Sequence, residues 1–141
     1  MGAVPYITAA DVAGRLDWLR MADAIAAGHR GARAEIGDTF LRRGADTLLS
    51  RSAWIDGLGA AVKSVIVCQG NSGRGLATVN GAMLVFEDAT GLVEAVIDSG
   101  LITAWKTAAD SLAGARLLAL PDSRRLLILG AGTVAGNLVA A

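Results

Sequence analysis

The stretch from Leu126 to Ala141, LLILGAGTVAGNLVAA, joins an apolar run, a glycine turn and a helix-forming segment. This order is typical of the start of a dinucleotide-binding unit, in which a buried strand leads through a glycine loop into a helix. The first glycine permits a tight turn, the second lets the backbone approach a pyrophosphate, and a small third residue lets the helix pack closely. Gly130, Gly132 and Ala135 hold these positions. We therefore expect RRLLIL, residues 124–129, to form the buried strand.

The glycine loop alone is a weak signal, because such turns also serve packing between a strand and a helix. Phosphate binding is favoured by the free N–H groups and partial positive charge at the start of the helix. The acidic residue that contacts the ribose follows such a loop by about 20 residues, a position beyond Ala141. The glycine loop is therefore expected to belong to the first strand and helix start of a parallel α/β unit. The candidate dinucleotide contacts are Gly130, Ala131, Gly132, Thr133, Val134 and Ala135.

The composition is that of a globular domain, with 53% hydrophobic and 18% charged residues among 141. The 13 basic residues balance the 13 acidic ones and form no basic run, so no nucleic-acid partner is expected. Cys68 has no second cysteine to pair with, which excludes a disulfide scaffold and favours a reducing compartment. His29 is the only histidine, so a structural zinc site has too few ligands and no metal is expected.

The hydropathy pattern argues against a membrane protein. The longest uncharged stretch is the 16 residues from Leu126, which glycines interrupt and which fall short of the roughly 20 residues of a membrane span. The opening residues, MGAVPYITAADVAGRLD, lack a basic segment followed by an apolar one, so no secretory signal is visible. We therefore expect a cytoplasmic protein with no membrane partner.

Two helices are predicted near the N-terminus. Thr8 followed by Asp11 indicates a short capped helix, and Asp17 can cap a second one. The second helix is expected to run from Trp18 to about Ile36, because apolar residues recur there at helical spacing. His29 falls on this apolar stripe, and its expected role is packing at a helix interface rather than ligand binding.

After Gly44 the residue composition changes to runs of Val, Ile, Leu and Thr separated by glycines. This pattern predicts strands near 47–53, 61–68, 79–87 and 92–98. FEDATGLVEAVID indicates a hairpin, and the short connections imply an antiparallel sheet. LITAWKTAADSLAGARLLAL then predicts a helix that ends at Pro121. The expected fold is α/β: an α+β N-terminal part with an antiparallel or mixed sheet, followed by the first β-α element of a Rossmann domain.

Several strings together resemble the ornithine cyclodeaminase and mu-crystallin family. They include AAVKSV, the GN at Gly70-Asn71, GLATVNGAMLVFEDATG, LITAWKTAADS and LPDSRRLLILGAGTVA, and their order makes the resemblance specific. The resemblance implies that residues 1–120 form a substrate-binding and dimerisation domain. It also implies that residues 121–141 begin a truncated Rossmann domain for NAD or NADP.

The resemblance also implies roles for individual residues. Lys63 matches a lysine that binds the substrate carboxylate, Thr78 a substrate-site threonine, and Lys106 a position usually held by arginine. Arg43 is the candidate for a further carboxylate-binding arginine, with Arg42 as the alternative. Asn71 and Thr107 are expected on the cofactor side. The family's catalytic aspartate lies beyond Ala141, so the catalytic residue is unknown.

Each of these residues also has a structural alternative. Lys63 lies within an apolar strand, where exposure on the outer face of the sheet would explain it equally well. Lys106 suits a solvated helix face, Thr78 a strand and Asn71 a turn. The physical case for binding is that an amino-acid carboxylate must be held while hydride transfer proceeds, and converging cations supply charge-assisted hydrogen bonds.

The sequence departs from the family pattern at several positions. Lys106 cannot make the planar bidentate contact of an arginine, which puts ornithine as the substrate in doubt. Arg51-Ser52 stands where Met-Pro is common, and Gln69 where proline is usual. The strings around Lys106 and the glycine loop are similar to a branch linked with ectoine breakdown, which would favour a diamino acid or its cyclic imine.

Three functions are consistent with these observations. The first is an NAD(P)-dependent amino-acid cyclodeaminase or imine reductase, of which this chain is the N-terminal part. The second is a mu-crystallin-like protein that binds NADPH and a small ligand, and the third is a non-catalytic assembly fragment. A homodimer is expected in each case, because the predicted strands carry apolar residues on both faces, as at Val65, Val67, Leu84 and Phe86.

Overall fold

The computed structural model describes residues 2–141 and divides into two compact units. The first unit comprises the residues up to Asp11 and Ala32–Leu101, and the second comprises Val12–Gly31 and Ile102–Ala141. The functional division into residues 1–120 and 121–141 remains a prediction, since compactness does not assign roles.

The first unit is a six-stranded mixed sheet, in agreement with the predicted fold class. Strands β2 to β6 form an antiparallel meander in which each strand pairs with the next along the chain. Strand β1 lies beside β6 and runs parallel to it, which gives the order β1-β6-β5-β4-β3-β2. The strands are β1 (Tyr6–Ile7), β2 (Glu35–Arg43), β3 (Asp46–Ile55), β4 (Gly59–Val67), β5 (Val79–Phe86) and β6 (Val93–Asp98).

The turn between β5 and β6 has the residue types that predicted a hairpin there. Gly91 has a φ of +67°, a left-handed conformation that favours glycine. The Glu87 carboxylate accepts hydrogen bonds from the amides of Ala89 and Thr90 and from the Thr90 hydroxyl. These bonds satisfy the turn amides, so the β5–β6 hairpin forms where the sequence predicted it.

One glycine within the sheet is required by a close backbone approach. A Cβ at Gly81 would collide with the carbonyl oxygen of Ser64, and would lie 2.7 Å from the Cα of Val65. Gly81 is opposite Val65 in the β4–β5 register. The missing side chain therefore lets the two central strands approach each other.

Three α-helices and one 3-10 helix complete the structure of the described residues: α1 (Trp18–Gly28), α2 (Ser99–Leu118), α3 (Thr133–Ala140) and the 3-10 helix Gln69–Arg74. Asp17 caps α1 as predicted, because its carboxylate accepts the Arg20 amide at 2.9 Å. Helix α2 confirms the predicted helix before Pro121. At its start, the Asp98 carboxylate accepts the Leu101 amide at 2.9 Å.

In the second unit, α1 and α2 are joined by an aromatic stack and an ion pair. The rings of Trp18 and Trp105 lie 3.8 Å apart between centroids and 22° apart between planes. The Arg116 guanidinium donates to the Asp23 carboxylate at 2.7 Å. Ala22 is buried on α1, and small residues of this kind let helices approach each other closely. Within residues 2–141, no helix combines the length and apolarity that crossing a bilayer requires.

The predictions for the N-terminal helices were wrong in part. Helix α1 ends at Gly28 rather than near Ile36, because Ile36 pairs with Ala53 in the sheet. His29 terminates the helix and is exposed rather than packed. The predicted helix at Thr8 is instead a turn, in which the Thr8 amide and hydroxyl both donate to the Asp11 carboxylate.

The predicted buried strand over residues 124–129 is also absent from the structure. This segment has no strand pairing, and Leu126, Leu127 and Leu129 are 74%, 83% and 89% exposed. A parallel strand needs a neighbouring strand for its backbone hydrogen bonds, and the described part of the chain offers none here. The helical half of the predicted element does form, as α3.

Candidate functional site

Lys63 lies near the middle of β4 and is half-buried. The register places it opposite Arg51 on β3 and Met83 on β5. Arg51 is in turn opposite Asp38 on β2. Directly opposite residues of antiparallel strands share a face of the sheet, so these four side chains form one row, which we call the Lys63 row. The face that carries it is the Lys63 face.

Arg51 and Asp38 make the strongest ion pair of the row. The Arg51 Nε and Nη2 atoms donate to the two Asp38 carboxylate oxygens at 2.7 and 2.6 Å, which is the bidentate geometry that suits a guanidinium. The hydrogen bonds from Arg51 lower the pKa of the Asp38 carboxyl below its usual value, and they raise the pKa of Arg51. Both groups are therefore held in their charged forms.

Lys63 is the unpaired cation of this row. Within residues 2–141, no carboxylate lies within ion-pair distance of its ammonium group. Its neighbours across the strands are another cation and a thioether, and the nearest acid of the row is already engaged by Arg51. A half-buried ammonium without an anion is well suited to bind one from outside.

Arg43 and Arg42 lie at the end of β2, several register positions from the Lys63 row. Arg43 is opposite Asp46, with which it forms a 3.5 Å ion pair. Counting along the register puts Arg43 and Asp46 on the face of the sheet opposite Lys63. Arg42 shares the Lys63 face, but it lies four residues along β2 from Asp38, or about 13 Å.

Thr78 and Asn71 belong to the connection between β4 and β5. The Thr78 carbonyl accepts the Cys68 amide at 2.8 Å, which extends the β4–β5 pairing beyond the strands. The Asn71 side chain donates to the Ala77 carbonyl at 2.9 Å, and the Asn71 carbonyl accepts the Leu76 amide. Asn71 therefore organises this loop, as a turn-forming residue would.

Lys106 and Thr107 lie on α2, in the second unit. The Lys106 ammonium donates to Asp110, one turn later, at 2.7 Å. Both side chains are substantially exposed, at 60% and 45%, so the pair contributes little to stability. The Thr107 carbonyl accepts the Ser111 hydroxyl at 3.1 Å.

The glycine loop has the backbone expected of a phosphate cradle. Gly130 has a φ of +111°, which only glycine adopts without strain. Gly132 is the N-cap of α3 and no side chain caps this helix, so N–H groups of its first turn stay available. A Cβ at Gly130 or Gly132 would meet nothing within 4 Å, and both residues line an open cleft of about 350 Å³. The residues present therefore fit a pyrophosphate.

The comparisons with known proteins define the family. Residues 53–141 match the ornithine cyclodeaminase/mu-crystallin family, and the chain belongs to it. The family resemblance of the sequence is thereby confirmed. Over 139 residues, 99% of this chain, it is 52% identical to the Delta(1)-pyrroline-2-carboxylate reductase of Paracoccus denitrificans.

Solved structures share the fold over nearly the whole chain. The Thermococcus litoralis Delta(1)-pyrroline-2-carboxylate reductase, in complex with NADH and L-proline, superposes with a TM-score of 0.83 at 22% identity and covers 97% of this chain. An archaeal alanine dehydrogenase dimer with bound NAD has a TM-score of 0.83 at 23% identity, again over 97%. The chain spans 44% of the Paracoccus relative and 45% and 44% of the two solved chains.

Sequence reasoning proposed Lys63 and the glycine loop as candidates but did not consider the Asp38–Arg51 pair. Arg51 was noticed only as a departure from the family pattern, and Asp38 was not singled out. Their pairing depends on β2, which was expected to begin as helix and was not predicted as a strand. The stretch GDTFLRR, Gly37–Arg43, has no regular alternation of polar and apolar residues that would have indicated this strand.

Proposed function

We propose that this chain is the substrate-binding and dimerisation part of an NAD(P)-dependent enzyme that reduces a cyclic imine carboxylate. The observation that carries the proposal is the 52% identity, over 99% of this chain, with a Delta(1)-pyrroline-2-carboxylate reductase. The glycine loop at α3 supports a dinucleotide cofactor. Cyclodeamination of an amino acid or a diamino acid uses the same hydride chemistry and is the alternative within the family.

The proposed substrate-binding residues are Lys63 and Thr78 in the first unit and Lys106 in the second. Arg43 is the least supported of the set, because its register position is on the face opposite Lys63. Lys63 would bind the substrate carboxylate through a charge-assisted hydrogen bond. The proposed cofactor contacts are Asn71 and Thr107, together with the loop and helix start from Gly130 to Ala135.

A dinucleotide held by the loop and helix start from Gly130 to Ala135 would supply the hydride for the reduction of an imine to an amine. What residues of this chain contribute is orientation. A carboxylate held by Lys63 fixes the adjacent imine carbon, since the two carbons are bonded to each other, and such positioning lowers the entropic barrier to transfer. The amides at Gly132 and the following turn would hold the pyrophosphate at the other end of the cofactor.

We further propose that the protein is a homodimer. The sheet carries exposed apolar residues on the face opposite Lys63, where Leu41, Trp54 and Ile66 are 59%, 58% and 45% exposed. Exposed apolar patches of this kind are typical of interfaces, and a structural neighbour of the same fold is described as a dimer.

A chimera tests the proposed activity. This chain replaces the segment of the Paracoccus relative that it matches at 52% identity, and the rest of the relative is kept. We expect NAD(P)H-dependent reduction of Delta(1)-pyrroline-2-carboxylate. The reaction is measured by the loss of absorbance of the reduced nicotinamide. In this chimera, Lys63→Met should lower kcat/KM by about 30-fold to several hundred-fold and leave dinucleotide affinity nearly unchanged.

The matched control is Arg15→Met, which removes a cation from an exposed turn and should leave kcat/KM within about twofold. A folded chimera without reductase activity would contradict the proposed reaction. Wild-type kcat/KM in the Lys63→Met chimera would instead remove Lys63 from the substrate site.

A further inference from the structure

We propose that Arg51 is the second cation of the carboxylate site and that Asp38 is its positioning residue. The inference rests on the proposed function, because it takes Lys63 as the first cation. It assigns roles to Arg51 and Asp38, and neither residue belongs to the family pattern or to the proposed set of site residues. The ligand is the carboxylate of a small amino or imino acid.

The first argument is proximity. Arg51 and Lys63 are directly opposite each other on β3 and β4, and Cβ atoms of such pairs lie about 4.5–5.5 Å apart. Two like charges at that distance repel each other, so the arrangement is unfavourable unless anions compensate it. Asp38 supplies one anion for two cations, and the row retains one positive charge in excess. A carboxylate bound between Arg51 and Lys63 would balance it.

The second argument concerns the hydrogen-bond donors that Arg51 has left. A guanidinium carries five N–H groups, and Asp38 takes one from Nε and one from Nη2. Both N–H groups of Nη1 remain free for a ligand. The Arg51 side chain is 59% exposed while that of Asp38 is 28% exposed, so the cation is the more accessible member of the pair.

The third argument is the effect of the pair on Lys63. Asp38 and Lys63 are two strands apart, or about 10 Å between Cα atoms, a distance that a lysine and an aspartate side chain can bridge. Because Arg51 engages both carboxylate oxygens of Asp38, Asp38 does not neutralise Lys63. Arg51 therefore contributes its own charge and also keeps the lysine available.

The test is a titration of the 141-residue chain with L-proline, observed by NMR at the Lys63 ammonium and the Arg51 Nε–H. L-prolinamide, which lacks the carboxylate, is the ligand control. We expect L-proline to shift both signals and L-prolinamide to shift neither. Arg51→Met should weaken L-proline binding by roughly tenfold, the effect of losing a charge-assisted contact at a partly exposed site.

Two further variants separate charge from geometry. Arg51→Lys keeps the charge but loses the bidentate bond to Asp38, so it should recover only part of the affinity. In the Arg51→Met background, Asp38→Asn should restore affinity in part, because it removes the acid that would otherwise capture Lys63. Arg116→Met is the matched control, since it breaks another exposed Arg–Asp pair in the other unit and should not change binding. Amide spectra verify that each variant is folded.

The outcomes distinguish this inference from the function on which it rests. If the Lys63 signal responds to L-proline and Arg51→Met binds as the wild type does, the role of Arg51 is overturned and that of Lys63 stands. If the Lys63 signal does not respond, or Lys63→Met binds normally, the proposed carboxylate site is itself overturned.

Discussion

The rings of Trp18 and Trp105 stack face to face, with centroids 3.8 Å apart. Trp18 is the first residue of α1, and Trp105 directly precedes Lys106 on α2. The stack therefore joins the capped start of one helix to the turn of another that carries proposed site residues. Such aromatic pairs add about 0.5–1.5 kcal/mol to the free energy gained from burial alone.

Replacing one ring of this stack should destabilise the second unit. We expect Trp105→Ala to lower the free energy of unfolding by roughly 2–3 kcal/mol, less than for a fully buried tryptophan because both rings are half-buried. Urea denaturation followed by circular dichroism measures the change. Leu19→Ala removes an exposed side chain next to Trp18 and should change stability by no more than about 0.5 kcal/mol. Equal effects of the two substitutions would show that the stack contributes nothing.

Two glycine-to-alanine substitutions should have opposite effects. Gly81→Ala should lower the free energy of unfolding by more than about 2 kcal/mol, because its Cβ would collide with the Ser64 carbonyl. Gly114→Ala, within α2 and with nothing within 4 Å of an added Cβ, should raise it by about 0.5–1 kcal/mol. Thermal denaturation of the two variants and the wild type measures these changes in stability. A Gly81→Ala protein as stable as the wild type would contradict the close approach of β4 and β5.

The β5–β6 turn should make stability sensitive to acid. The Thr90 hydroxyl, followed by the amides of Ala89 and Thr90, lowers the pKa of Glu87 below its ordinary value. A lowered pKa in the folded state means that the stabilisation is fully present above the ordinary value of about 4.3 and is lost as pH falls through the folded-state pKa. Unfolding midpoints measured from pH 6 down to pH 2.5 should therefore decline more steeply for the wild type than for Glu87→Gln.

The control for this pH profile is Glu94→Gln. In the part of the chain that the structure describes, the Glu94 carboxylate accepts no hydrogen bond, so its removal should alter the profile less than the removal of Glu87. If the two variants have the same profile, the hydrogen bonds of the turn do not explain the acid sensitivity.

A single charge should separate the proposed homodimer. Ile66 lies on the sheet face opposite Lys63, and Ile66→Lys should raise the dimer dissociation constant by roughly 100-fold or more, as expected for a charge in an apolar interface. Phe40→Lys places the same charge on the Lys63 face and should leave the dimer intact. Light scattering at micromolar concentration measures the oligomeric state of both variants. A monomeric wild-type protein under these conditions would remove the proposal.

The sequence predicted the fold best where structure is set by local chemistry. Strands β3 to β6 and helix α2 were recognised because apolar runs there end at glycines, prolines or capping acids. Strand β2 was missed because all of its residues are exposed, so burial imposes no clear alternation on them. Residues 124–129 were predicted as a strand from their apolar run and the glycine loop that follows it. Strand formation also depends on a neighbouring strand, and none pairs with that segment within residues 2–141.

The candidate site was predictable to the same extent. Lys63 could be proposed because it is the one cation in an apolar strand. The glycine loop could be proposed from the spacing of its small residues. The pairing of Asp38 with Arg51, two residues separated by a hairpin, depends on the register of β2 against β3. A shift of one residue would have put them on opposite faces, and composition alone carries no information on that register.

The parallel pairing of β1 with β6 has a consequence for the synthesis of the protein. Tyr6 and Ile7 leave the ribosome well before their partners, Val96 and Ile97. The meander from β2 to β6 can form as a series of hairpins while translation proceeds, since each strand needs only its predecessor. Strand β1 is therefore synthesised before the meander but can pair only after β6 has formed, so it stays without its partner for several seconds of synthesis.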